Sequence, residues 1–297
     1  MNKTVLIITG PTAIGKTDLS LQLAQYFKTD IISADSRQCF RELNIGVAKP
    51  DPEELALVPH YFINSHSIHD RVDAGVYEQY ALHAAAEIFK QHDIAVMVGG
   101  TGLYVKAFSE GIDEMPAIPQ EIRDKVIRLY DEQGLAALQT EVQQLDPVFW
   151  SIAEQQNPQR LMRALEMVYA TGQSITEFRK GTTVQRPFKI IKIGLELPRE
   201  VLYERINKRV DIMIAQGLVE EVRSLLPVRS LNALQTVGYR ELFDYFDNTA
   251  SLETAINSIK TNTRHYAKRQ MTWFKKDTQI KWYKPDEMER IISDLKL

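Results

Sequence analysis

Thr4-Val-Leu-Ile-Ile-Thr-Gly10-Pro11-Thr12-Ala13-Ile14-Gly15-Lys16-Thr17 is the stretch that decides the fold. A β-branched, apolar run ends in a glycine turn, and apolar residues then recur at helical spacing from Lys16 to Phe27. The segment reads as strand, loop, helix. In that setting residues 10–17 satisfy G-x-x-x-x-G-K-[ST], the pattern of a phosphate-binding loop. The glycines let backbone N–H groups converge on anionic oxygens, the helix N-terminus adds a positive partial charge, and Lys16 adds a full one. Thr17 offers its hydroxyl to Mg²⁺. The loop does not say whose phosphates it holds, and ATP or GTP is the first expectation.

Working outward, residues 30–34 and 93–98 are further short apolar runs, with a helical pattern at 76–91 between them. Short apolar strands alternating with helices predict an α/β fold, a P-loop NTPase-like parallel sheet flanked by helices. Such sheets bind ligands beyond the carboxyl ends of their strands. Those ends carry the phosphate loop, then Asp35-Ser36-Arg37-Gln38, then Gly99-Gly100-Thr101-Gly102. The run at 94–98 ends in glycines where a nucleotide hydrolase carries a metal-binding carboxylate, which weighs against ATP hydrolysis. A cradle of this kind stabilises a departing diphosphate as readily as it binds a nucleotide. After Met115-Pro-Ala-Ile-Pro119 the pattern is helical from 120 to about 178, and residues 188–197 return to β periodicity. Residues 1–118 and 186–297 therefore read as the P-loop core and 119–185 as a helical insertion domain. From Arg199 onward the sequence reads as helices.

The remaining composition narrows the class. The chain has 297 residues, 44% hydrophobic and 25% charged, as expected of a globular protein rather than a disordered one. No run approaches the ~18 apolar residues of a membrane span, and residues 1–9 have strand rather than signal-peptide character, so a cytoplasmic protein is expected. The single cysteine, Cys39, leaves no internal disulfide or cysteine-based zinc site and reads as a buried thiol. The net charge of −3 argues against wrapping nucleic acid with the whole surface. Local basic runs remain: Lys260, Arg264, Lys268, Arg269, Lys275, Lys276, Lys281 and Lys284, and a second set of Arg179, Lys180, Arg186, Lys189 and Lys192. Each is read either as a solvated face or as a surface for an anionic partner.

Asp35, at the tip of its strand, suits a Mg²⁺ ligand, a general base or a helix N-cap, and Thr101 suits a turn-capping hydroxyl. A more specific pattern runs through the chain. Gly-Pro-Thr-Ala-x-Gly-Lys-Thr at 10–17, Asp-Ser-Arg-Gln at 35–38, Gly-Gly-Thr-Gly-Leu-Tyr at 99–104, Asn-Pro-Gln-Arg-Leu-Met-Arg-Ala-Leu-Glu at 157–166, Val-Gly-Tyr-Arg-Glu at 237–241 and Ala-Lys-Arg-Gln-Met-Thr-Trp-Phe at 267–274 occur in this order. Together they resemble the bacterial tRNA dimethylallyltransferases, the IPP transferase family, over nearly the whole length.

The resemblance implies transfer of a dimethylallyl group from dimethylallyl diphosphate to the exocyclic amine of the adenosine at tRNA position 37, beside the anticodon, in tRNAs reading codons that begin with U. It implies Asp35 as base, Thr101 where amine and diphosphate meet, and Lys16, with Mg²⁺ at Thr17, neutralising the leaving group. Arg209 is favoured over Arg205 as a further diphosphate contact. Asp35, Ser36, Arg37, Gln38 and Thr101, with Arg123, Gln159, Arg160, Leu161, Met162 and Arg163 of the insertion, fall at positions that the family uses against the tRNA anticodon stem-loop. Lys268 and Arg269 are expected to follow the RNA backbone, while Trp273 and Phe274 read as core. Arg37 occupies the variable position of its D-S-x-Q block. A monomer with no obligate protein partner and no membrane association is expected. Two other readings of the phosphate loop stay open on residues alone: a small-molecule kinase, and a non-catalytic RNA-binding NTPase switch.

Overall fold

The computed structural model describes residues 3–181 and 183–295. The chain divides into two compact units, Met1–Glu110 with Gln185–Leu297, and Gly111–Val184. The first begins with β1 (Thr4–Thr9), α1 (Lys16–Phe27), β2 (Ile31–Ser33), α2 (Pro52–Leu57), β3 (His60–Tyr61), α3 (Ala74–Ile88), β4 (Ile94–Val98) and α4 (Gly102–Glu110). The second holds α5 (Gln120–Leu145), α6 (Pro147–Trp150), α7 (Pro158–Thr171) and α8 (Ile175–Phe178). The chain then completes the first unit with β5 (Lys189–Leu195), α9 (Arg199–Ala215), α10 (Leu218–Ser224), α11 (Arg240–Phe246), α12 (Leu252–Phe274), β6 (Lys281–Tyr283) and α13 (Met288–Leu295).

Six strands form one sheet in the order β3-β2-β4-β1-β5-β6, every neighbouring pair parallel. The central strand β1 is buried at every position. Its side chains alternate between two cores: Val5 and Ile7 enter one, with Tyr77, Phe108 and Leu242, while Leu6 and Ile8 enter the other, with Leu19, Leu23 and Ile206. Helices on both faces explain why a period-2 strand shows no polar alternation. At the carboxyl end of the sheet the loops after β1, β2 and β4 come together.

The insertion-derived unit has a core of its own, including Val126, Leu138, Val142, Phe149, Leu161 and Leu165. Gly134, at φ 72°, interrupts α5 with a left-handed residue that glycine adopts without steric cost. Asn157 caps α7 by accepting from the Arg160 N–H, and Pro158 supplies a first-turn residue that has no N–H to satisfy.

The structure departs from the sequence reading in several respects, the short strand β3 among them. The region after Arg199 is not all helical: Lys281-Trp-Tyr283 adds the edge strand β6 beside β5, and its three residues are too few to show a period. The basic runs are also not free charge. Arg186 is buried against Glu78 on α3, and Lys192 is buried against Asp277 and Glu110. Lys260, Lys275 and Lys281 pair at 2.6 Å with Asp211, Glu196 and Asp294. All of these acids except Asp294 arrive from elements distant in sequence, so counting charge along the chain overstated the basic surface. Among the described residues no helix is long and apolar enough to cross a membrane.

Candidate active site

A cavity of about 1050 Å³ opens at the carboxyl end of the sheet, within the first unit, and residues 12–17, 35–38 and 98–100 line it together with Arg205, Arg209, Tyr266 and Arg269. The phosphate loop forms one wall. Gly10, at φ 144°, runs so close to β5 that a Cβ there would lie 2.9 Å from the Leu195 carbonyl oxygen. Gly15, at φ 103°, turns the chain into α1. The Lys16 ammonium donates to the Pro11 carbonyl at 2.7 Å. Burial, and then the neighbouring charge of Arg209, bring the Lys16 pKa down to about 7, against a smaller upward pull from Asp35. Lys16 therefore gives up its proton more readily than an exposed lysine does.

Two arginines one turn apart on α9 serve different parts of the wall. Arg205 donates from Nη1 to the Ile14 carbonyl at 3.2 Å, bracing the phosphate loop. Arg209 reaches the Ala48 carbonyl at 3.5 Å, and its charge bears on Lys16. Burial lowers the Arg209 pKa, with Asp35 and Glu54 opposing. Two half-buried cations beside a glycine loop and a helix N-terminus make a strong attractor for a multiply charged anion.

The second wall is the turn after β2. Asp35 Oδ1 accepts from the backbone N–H groups of Arg37 at 2.8 Å and Gln38 at 3.2 Å, so the side chain caps a turn, although no helix follows it as an N-cap would require. Among the described residues no hydrogen bond is made to Oδ2. One carboxylate oxygen therefore fixes the side chain, and the other is left to accept from a ligand. Gln38 Nε2 donates to the Ala48 carbonyl at 2.9 Å and its Oε1 accepts from Ser33 Oγ at 3.4 Å, fastening the 44–49 loop to β2. Glu221 holds the other side of that loop, accepting from the N–H groups of Ile45 at 2.7 Å and Gly46 at 3.0 Å and from the Tyr239 hydroxyl at 2.6 Å.

The third wall is the glycine loop after β4. Thr101 donates its N–H to the Ala34 carbonyl at 3.2 Å, and its Oγ1 accepts from the Ser36 N–H at 3.1 Å. Its hydroxyl thus caps a turn belonging to the neighbouring strand and locks the second and third walls together. Tyr266 on α12 faces Thr101; burial, then the Asp35 charge, push its pKa up to about 12, which keeps the phenol protonated. Phe274 is buried in the core, as read from the sequence, whereas Trp273 is 43% exposed. Cys39 is buried, and its thiol is pushed up to about 12 by burial and by Asp35.

Of the sequence-read residues, Lys16, Thr17, Asp35, Ser36, Arg37, Gln38 and Arg209 all line the one cavity, with Thr101 behind Ser36. The residues from the insertion lie in the other unit. There Arg160 pairs with Glu154 at 3.3 Å, Arg163 pairs with Glu166 at 2.9 Å, and Arg123 donates to the Ile118 carbonyl at 3.3 Å. Leu161 and Met162 are buried in that unit's core, while Gln159 is exposed. Sequence reasoning missed Gln270, whose side chain bonds both the phosphate loop and the glycine loop. The available signal was an amide placed between Ala267 and Phe274 on the buried stripe of α12.

The site's donors for a divalent cation are modest: among the described residues no group of three or more His, Cys, Asp or Glu is gathered. One hydroxyl at Thr17, with a diphosphate supplying most of the oxygens, is a donor set that suits Mg²⁺, which is usually bound through one or two protein groups and substrate phosphates.

Comparison with known proteins gives a consistent result. The model of a family described as IPP transferase matches residues 38–277. A tRNA dimethylallyltransferase of Christiangramia forsetii is 50% identical over 294 residues, covering 99% of this chain and 97% of the relative. The crystal structure of a full-length tRNA isopentenylpyrophosphate transferase from Bacillus halodurans superposes with a TM-score of 0.73 at 33% identity, over 99% of this chain and 96% of that one. A eukaryotic dimethylallyltransferase acting on tRNA gives 0.70 at 26% identity, over 91% of this chain and 69% of that one.

Proposed function

The chain belongs to the IPP transferase family, and from that premise we propose that it moves a dimethylallyl group from dimethylallyl diphosphate to the exocyclic amine of the adenosine at tRNA position 37, in tRNAs reading codons that begin with U. It is a transferase of tRNA modification. The observation that carries the mechanism is the pairing, across one cavity, of a cationic phosphate cradle with a carboxylate that has one oxygen tied down and one open.

The amine of adenine is a weak nucleophile because its lone pair is delocalised into the ring. In the proposed step the amine nitrogen forms a bond to C1 of the allyl group. The C1–O bond breaks with its electron pair leaving on the diphosphate oxygen, and the amine proton passes to Asp35 Oδ2. The Arg37 and Gln38 N–H groups hold Oδ1 throughout, so the base needs no reorientation. Lys16, Arg209 and the loop amides take up the charge that develops on the diphosphate. Mg²⁺ held by the diphosphate and Thr17 would add to that neutralisation when bound.

To reach a carboxylate inside the cavity, the adenine must leave its stack, which an anticodon loop permits more cheaply than a duplex. We assign Ser36, Arg37, Gln38 and Thr101 to the splayed base and its neighbours, and Arg123 and residues 159–163 to the stem-loop. The protein is proposed to act as a cytoplasmic monomer. The test is incubation with Mg²⁺, labelled dimethylallyl diphosphate and unmodified tRNA bearing adenosines at 36 and 37. Label is expected in the RNA; ATP turnover without label would favour the kinase reading instead.

A further inference from the structure

Gln270 is 7% exposed on a helix that otherwise buries Ala255, Ile259, Ala267 and Phe274 along the same stripe. Both ends of its amide are used, and by different walls of the cavity. Oε1 accepts from the Thr12 N–H of the phosphate loop at 2.8 Å, and Nε2 donates to the Gly100 carbonyl of the glycine loop at 2.9 Å. One partner is a donor and the other an acceptor, so a single orientation of the amide satisfies both. The fit around it is close. A Cβ at Gly100 would lie 2.1 Å from Gln270 Nε2, and one at Gly102 would lie 2.2 Å from Trp273 Nε1, three residues further along α12. The helix thus grips the loop on either side of Thr101, whose own bonds to Ala34 and Ser36 continue the connection to Asp35.

We propose that Gln270 is a positioning residue that sets the distance between the phosphate cradle and the Thr101–Asp35 side of the cavity, and hence between the leaving group and the attacking amine. This rests on the transfer reaction proposed above. The path from Thr12 through Gln270 to Gly100 and Thr101 is a run of direct hydrogen bonds and one peptide link. It joins two loops that otherwise spring from separate strands, β1 and β4. Displacement at carbon needs its reacting atoms in contact and in line, and a displacement of 1 Å costs on the order of 100-fold in rate. Anion binding makes a weaker demand, because Lys16, Arg209 and the amides at the start of α1 do not bond to Gln270.

The experiment begins with wild-type transfer and then compares Gln270→Ala and Gln270→Glu. For Gln270→Ala, kcat is expected to fall by about 100-fold, while the Kd for inorganic diphosphate changes by less than about threefold. For Gln270→Glu the signature is in the pH profile. The ionised carboxylate faces the Gly100 carbonyl with no hydrogen to give, whereas the protonated form restores both bonds, O–H to Gly100 and C=O from Thr12. The ratio of Gln270→Glu to wild-type kcat should therefore climb at least about tenfold as pH is lowered from roughly 8.5 to 6.

A Gln270→Ala enzyme with kcat within threefold of wild type would overturn the inference, as would loss of diphosphate affinity in step with kcat. Should Gln270→Ala not fold, a Gln270→Glu ratio that stays flat with pH overturns it. If wild-type protein binds diphosphate but labels no tRNA, the transfer reading itself falls and takes this inference with it, an outcome separable from a normal wild type beside an unaffected variant.

Discussion

Lys16 makes the binding of a diphosphate a proton-linked event. Burial and the Arg209 charge bring its pKa down to about 7. A diphosphate brings several negative charges against it and restores the ammonium. Binding above neutrality must therefore take up a proton. If only the ammonium form binds well, the apparent affinity falls as 1/(1 + 10^(pH − 7)), which is a loss of roughly 10-fold at pH 8 and roughly 100-fold at pH 9. The ligand does not confuse the window, because a phosphate monoester completes its last ionisation near pH ~6.

Calorimetric titration with dimethylallyl diphosphate at pH 8, in two buffers of different ionisation enthalpy, should count about 0.9 proton taken up per ligand bound. Lys16→Met should bind weakly and without this pH dependence. The same shift has a stability consequence of definite sign. Between about 7 and the ordinary lysine value of 10.5 the unfolded chain binds more protons at this position than the folded one. This group's contribution to stability therefore rises with pH through that window, and bound diphosphate cancels it. Affinity that stays level from pH 7 to 9, with no proton taken up, would refute the reasoning.

Replacing Arg209 by Gln removes the cation that lowers Lys16, so the break in the same affinity profile should move to higher pH while affinity drops overall. Asp35→Asn keeps an oxygen for the Arg37 and Gln38 N–H groups but loses the base, so transfer should fall by about 10²- to 10⁴-fold with tRNA binding retained in a filter assay; transfer near the wild-type rate would exclude Asp35 from that role. Glu78→Ala strands Arg186 in the core and should cost about 3–5 kcal/mol in urea unfolding, with Glu78→Leu/Arg186→Met less harmful than the single change. Gly99→Ala places a Cβ 2.2 Å from the Ala34 carbonyl oxygen; because that obstacle is backbone, soluble folded protein should be hard to recover, measurable as a drop in melting temperature.

What could be read from the sequence was whatever the chain writes contiguously. The phosphate loop was legible because strand, turn and helix start follow one another within residues 4–17, each with its own residue grammar. Asp35 and Thr101 were legible as candidates for the cavity region because they stand just past the ends of short apolar strands. The same local view failed wherever a partner comes from far along the chain. It could not show that Lys192 is neutralised by Asp277, or that Gln270 reaches back to Thr12 across 258 residues. Nor could it show that Glu221 joins Gln38 in holding the 44–49 loop, by way of Ile45 and Gly46. Strands β3 and β6 were missed for a different reason: two and three residues are held by the neighbouring strand's ladder and carry no period of their own.

The glycines after β4 show why the carboxylate proposed as the base follows β2. In a nucleotide hydrolase of related architecture, a carboxylate at the end of the corresponding strand holds metal. Here a side chain at Gly99 would run into the Ala34 backbone, and one at Gly100 would run into the Gln270 amide. The space is already filled by the contacts that bring the β2 turn, the glycine loop and the phosphate loop together. Between these two strand ends, only the one after β2 has room for a carboxylate beside the glycine loop, and Asp35 stands there with its capping oxygen directed at its own turn and its other oxygen open. That placement separates the acid from the anion's cradle. It leaves the cradle to Lys16, Arg209 and backbone amides, whose positive charge suits a diphosphate taking up electrons, and it leaves the carboxylate facing a group that gives up a proton. The close packing that excludes the hydrolase arrangement is the same packing that would set the geometry for the proposed transfer.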